Sequence, residues 1–141
     1  MITDLDLCID IQHTRVGDLV VTITHVDTGA SAVIADRPGV PATTHGCSGQ
    51  DIFVYLDDQA SSQAENQCAR ATPTIYGSFK PNNPLSIFNG EDIHGTWSVK
   101  VADVASLDTG SWLGAAIWYS VPYSATGLAR QAHRPVGGRT P

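Results

Sequence analysis

The strongest catalytic suggestion in this chain is Ser48, set in Gly46-Cys47-Ser48-Gly49, with His13 and Asp18 available to complete a triad. A serine nucleophile needs a base in hydrogen-bond reach, an orienting carboxylate and an oxyanion hole, and the Gly-x-Ser-x-Gly elbow needs a strand-to-helix turn. The residues around Ser48 read as loop, so no catalytic assignment is made. His13 and Asp18 are instead expected to hold the turn around Arg15-Val16-Gly17 by side-chain to backbone hydrogen bonds. The five histidines, His13, His25, His45, His94 and His133, lack the spacing of a helical zinc pair, and no Cys-x-x-Cys accompanies them.

Carboxylates are a better lead. Of the 14 acidic residues 12 are Asp, which suits turns and calcium more than helices, and all of them lie between Asp4 and Asp108. If residues 7–13, 51–56 and 97–103 run in one direction, a single edge of the molecule collects Asp57, Asp58, Asp103 and Asp108, with Asp18 beside them. Clustered carboxylates repel unless a cation or water intervenes, and Ca²⁺ takes about six to eight oxygen ligands. Those four aspartates are therefore the expected ligands of a structural calcium; the alternative is that each closes its own solvated turn. Of the three tryptophans, Trp97 falls on an apolar strand face. Trp112 and Trp118 fall in register with Ala116, opposite Leu113 and Ile117, and are expected to pack between sheets or to contact a partner.

The elements that must position these residues are strands. Apolar residues alternate at Leu7-Ile9-Ile11, Leu19-Val21-Ile23, Ile52-Val54-Leu56 and Trp97-Val99-Val101, and residues 112–120 make a fifth segment. Turn chemistry separates them at 15–18, 36–39, 80–84 and 108–110. Residues 57–71 read as a long loop with one helical turn. A chain of 141 residues with 13 Gly, 8 Pro and only 16% charged residues fits one turn-rich, all-β domain over residues 1–123. Residues 124–141 carry few large apolar side chains and read as a disordered tail or linker.

The net charge of −6 conceals an asymmetry: residues 1–120 hold every acid but only five of the eight bases. Such a body is repelled by phosphate backbones and anionic membranes, which argues against nucleic-acid and membrane partners. The start Met1-Ile2-Thr3-Asp4 lacks the basic and apolar regions of a signal peptide, so the chain is either cytosolic or a piece of a longer precursor. Three cysteines, Cys8, Cys47 and Cys68, leave at least one unpaired within a monomer.

Four stretches, in order, resemble the P domain (Homo B domain) that follows the catalytic domain of kexin-like and furin-like subtilisin-type proprotein convertases: His13-Thr14-Arg15-Val16-Gly17-Asp18-Leu19; Gly46-Cys47-Ser48-Gly49-Gln50-Asp51-Ile52 with Asp57-Asp58-Gln59-Ala60; Gly77-Ser78-Phe79-Lys80-Pro81 through Leu85-Ser86-Ile87-Phe88-Asn89-Gly90; and Gly95-Thr96-Trp97-Ser98-Val99-Lys100-Val101-Ala102-Asp103 with Asp108-Thr109-Gly110. The resemblance runs from about Leu7 to Tyr119. It implies a jelly-roll-like antiparallel β-sandwich and a non-catalytic module, monomeric in isolation, that stabilises or regulates a neighbouring catalytic or secreted domain. An independent extracellular module for carbohydrate or surface protein is the alternative. Bacterial relatives commonly have Trp-Cys where this chain has Ala115 and Ala116. The resemblance therefore implies that Cys8 has lost its partner and that Cys47 and Cys68 form the bridge, in an oxidising, extracellular compartment.

Overall fold

A computed structural model describes residues 1–122, 132–136 and 138–139. The period-two segments form strands: β1 (Asp4–His13), β2 (Leu19–His25), β4 (Ile52–Leu56), β6 (Trp97–Asp103) and β7 (Gly110–Ser120). They are joined by β3 (Ser31–Asp36), β5 (Ile75–Phe79), β8 (Ala132–Val136) and β9 (Gly138–Arg139), with short 3-10 turns at Val16–Asp18, Ala64–Asn66 and Leu85–Phe88. A five-stranded sheet of order β5-β4-β1-β7-β8 and a four-stranded sheet of order β3-β2-β6-β9 make a sandwich-like all-β fold. The sheets are mixed where antiparallel pairing was expected, because β4 pairs with β5, and β6 with β9, in parallel. Parallel neighbours need a crossover, and the long 57–74 connection supplies one between β4 and β5.

Alternation decides what lies between the sheets. Leu5, Leu7, Ile9 and Ile11 of β1 meet Leu19, Val21 and Ile23 of β2, Ile52, Val54 and Leu56 of β4 and Val99 of β6, all buried. Each such side chain contributes about 1.5–3 kcal/mol on burial. Phe88, from the last 3-10 turn, fills the core edge-on to Trp97, with ring centroids 5.0 Å apart.

Part of the segment that composition assigns to a tail is paired. β8 lies antiparallel to β7, with Ala115 opposite Val136 and Tyr119 opposite Ala132. The open edge of β7 offers backbone donors and acceptors, so pairing there does not depend on apolar burial. Residues 124–131, 137, 140 and 141 of that segment lie outside the described residues.

Candidate functional site

At one end of the sandwich, where β1 stops and β7 starts, four of the chemistry-bearing residues meet. His13 closes β1 and is buried at 4% exposure. Its Nε2 lies 3.1 Å from Asp103 Oδ2, while its Nδ1 lies 2.8 Å from the Arg15 carbonyl and 3.1 Å from the Arg15 amide. The Asp103 carboxylate selects the Nε2–H tautomer. The neutral ring then accepts the Arg15 N–H at Nδ1, and an imidazolium donates to the Arg15 carbonyl. His13 is thus a clasp on the turn that leads to β2, and Asp51 Oδ1 accepts its own amide at 2.9 Å.

Asp18 differs from the expectation. It is buried at 3% exposure, and its side chain faces other charged groups rather than the turn backbone. Oδ1 is 3.7 Å from Arg15 Nε, and Oδ2 is buried without a hydrogen-bond partner. Burial first, and then the adjoining Asp108 carboxyl, push the Asp18 carboxyl above its ordinary range, with Arg15 opposing. Asp108 accepts the Thr14 hydroxyl at 2.9 Å, the Thr14 amide donates to the Thr109 carbonyl at 3.0 Å, and the Thr109 amide donates to Thr14 Oγ1 at 3.1 Å. The loop between β6 and β7 is therefore pinned to the end of β1 from both sides.

Asp57 and Asp58 do not join this group. β4 is antiparallel to β1, with Leu7 opposite Leu56 and Ile11 opposite Ile52, so the end of β4 lies beside Asp6 at the far end of the sandwich. The assumed common direction of residues 51–56 and 7–13 is wrong, and the four-aspartate calcium set is split across the length of β1. Asp57 Oδ1 accepts the Gln59 amide, and the two oxygens of Asp58 accept the amides of Leu85 and Ser86 at 2.9 and 2.8 Å. Among the described residues, no three His, Cys, Asp or Glu side chains are grouped to hold a metal.

The two outer tryptophans also part. The β1–β7 register shifts between Asp10 and Ile11: Asp10 is opposite Gly114, and Ile11 is opposite Trp112. This β-bulge turns Trp112 inward against the core, whereas Trp118, opposite Asp6, stays on the outer face. Trp112 then walls a cleft of about 260 Å³ between the sheets, floored by Ile11, Leu19 and Val101 and with His13 and Asp103 at its mouth.

Above the cleft the β6–β7 loop presents apolar side chains to solvent. Val104 is 52% exposed and Leu107 is 99% exposed, with Leu107 at φ 85°. A bulky residue there is conformationally costly, so its place in an anchored loop marks a candidate contact surface. An apolar pair inside a turn is the signal that alternation-based reading passes over.

Ser48 is exposed, and neither His13 nor Asp18 is bonded to its side chain: the loop that carries it meets the first turn through the backbone of Cys47 and Gly49. Its neighbour Cys47 is bonded to Cys68, with Cα atoms 5.7 Å apart, and Cys8 is free. The Cys47 segment crosses so close to the first turn that a Cβ on Gly17 would stand 2.6 Å from the Cys47 amide nitrogen, which is why a glycine occupies the position. Compared with models of known families, with curated proteins and with solved structures, the chain matches none.

Proposed function

We propose that this chain is a P-domain-type module with a jelly-roll-like sandwich, carried by a secreted multidomain protein, that docks on a neighbouring subtilisin-like catalytic domain and stabilises it without performing chemistry itself. The observation that carries this reading is Leu107, fully exposed at positive φ on a loop anchored by Asp103, Asp108 and Thr14. The Trp112 cleft beside it suits an apolar side chain from the partner, and Val104 extends the contact. His13 and Asp103 then serve to fix the loop, and Cys47–Cys68 to hold the first turn against it.

A photo-crosslinking amino acid at position 107 of the full-length precursor tests this. Crosslinks are expected to a catalytic domain of the same polypeptide, and Leu107→Asp is expected to shorten that domain's half-life on heating. A precursor in which position 107 crosslinks nothing, and Leu107→Asp and Trp112→Ala leave the half-life unchanged, overturns the reading.

A further inference from the structure

The outer face of the five-stranded sheet lies away from the Leu107 loop contact, and its side chains are arranged in rows. One row across β5, β4, β1 and β7 is Tyr76, Phe53, Asp10 and Gly114; the next is Ser78, Tyr55, Cys8 and Ala116. The middle of the face is thus floored by small residues, and a Cβ built on Gly114 meets no atom within 4 Å. On one side stand Phe53 and Tyr76, stacked with ring centroids 5.9 Å apart and exposed at 42% and 67%. The result is a shallow trough along β1 and β7, low enough for a backbone to approach.

Among the described residues the charged groups along β1 on this face are of one sign. Asp10 stands at one end, beside Phe53, and makes no hydrogen bond or ion pair with another described residue. Asp6 stands at the other end; its Oδ2 accepts the Tyr55 hydroxyl at 3.3 Å, and its Oδ1 is buried without a partner. Asp57, Asp4 and Asp58 act on Asp6, and among the described residues each charge that does so is a carboxylate. Burial and that crowding push Asp6 up to about 6. Asp6, ringed by acids, and Asp10, beside the exposed rings of Phe53 and Tyr76, are each complementary to a guanidinium or ammonium, which pairs with a carboxylate and, at the Asp10 end, stacks on the rings.

Spacing narrows the occupant. Asp6 and Asp10 lie on one face of β1, four residues and so about 13 Å apart. In an extended chain, side chains four residues apart share a face and repeat at that same distance, whereas side chains three apart face opposite ways. We infer that the trough between Asp6 and Asp10 is a docking site for an extended peptide segment bearing two basic side chains four residues apart, with small residues between them.

Cys8 lies on the floor between the two aspartates and reports occupancy. The probes are synthetic peptides added to the full chain at low salt, one with Arg at positions i and i+4 separated by Gly and Ser, and one with the same residues but Arg at i and i+3. The first is expected to slow alkylation of Cys8 by N-ethylmaleimide and to bind by calorimetry. Asp6→Asn combined with Asp10→Asn is expected to weaken it about tenfold, because both charge pairs are lost. Far-UV circular dichroism verifies that the variant is folded. Equal binding of the i, i+3 peptide, or of the double variant, overturns the inference. Protection of Cys8 by calcium alone overturns it in favour of a metal site, and protection by a neutral oligosaccharide but not by peptide overturns it in favour of a sugar platform. None of these outcomes depends on the Leu107 surface.

Discussion

The His25 ring lies flat on the Trp97 indole, centroids 4.4 Å apart at an interplanar angle of 7°. Its Nδ1 is 2.6 Å from Glu91 Oε2 and its Nε2 is 3.0 Å from the His94 carbonyl, so both ring nitrogens face oxygens. The end of β2 is thereby tied to the loop that precedes β6. His25→Phe keeps the stacking but removes both bonds and leaves Glu91 without its closest partner. A loss of about 2–3 kcal/mol is expected in urea unfolding, and Trp97→Ala, which also empties the contact with Phe88, is expected to cost about 3–5 kcal/mol.

The disulfide closes a loop whose ends are separated by 21 residues. Replacing Cys47 and Cys68 together with Ser is expected to lower stability by about 3 kcal/mol, mainly by freeing the unfolded chain, while Cys8→Ser is close to neutral. Non-reducing peptide mapping is expected to find alkylation only at Cys8.

Glu65 supplies a pH test. Burial foremost, and the nearby Asp36 charge after it, push its carboxyl up to about 7, against the Asp36 amide bond at 2.6 Å that favours ionisation. Its folded value stands above its ordinary 4.5, so its contribution to stability is full below pH 4.5 and is lost as pH rises through about 7. Glu65→Gln keeps an acceptor for the amide and does not ionise. The variant is expected to melt about 2–5 °C above the parent at pH 8 and level with it at pH 4, in paired thermal scans; equal melting at both values contradicts this.

Asp57 and Asp58, adjacent in sequence, are expected to differ in consequence. Asp58→Ala removes both acceptors for the amides that open the Leu85–Phe88 turn and should cost about 0.5–2 kcal/mol. Asp57→Ala loses one local turn bond to Gln59 but relieves repulsion on Asp6, and should be within about 0.5 kcal/mol of neutral. Urea titration of the two variants separates them.

The strands that sequence reading finds are those whose alternation is unbroken. β3 escapes it because Ala32, Ile34 and Ala35 are all buried, a pattern forced by the register shift opposite Val21 and Thr22. β5 escapes it because Gly77, at φ 133°, interrupts a five-residue strand. The candidate site was half legible for a related reason. His13, Asp18, Asp103 and Asp108 meet because β1 and β6 end where β2 and β7 begin. The direction of β4, which carries Asp57 and Asp58 away, depends on a long connection from β3 that no local pattern orients. Trp112 and Trp118, in register by simple alternation, fall on opposite faces because a one-residue bulge reverses every side chain beyond it, and nothing at Leu113 announces the bulge.

The pairing of β1 with β7 sets the timetable on which the molecule can be made. Asp4 is opposite Ser120, and the central strand of the larger sheet bonds over its whole length to a strand more than ninety residues away. During synthesis β1 waits with one edge bare until β7 has left the ribosome. The loop to be closed is long, and the early chain has few local contacts with which to begin. A chain cut short before Gly110 leaves the backbone donors and acceptors along that edge of β1 unpaired, so premature termination yields a sticky fragment rather than a smaller domain.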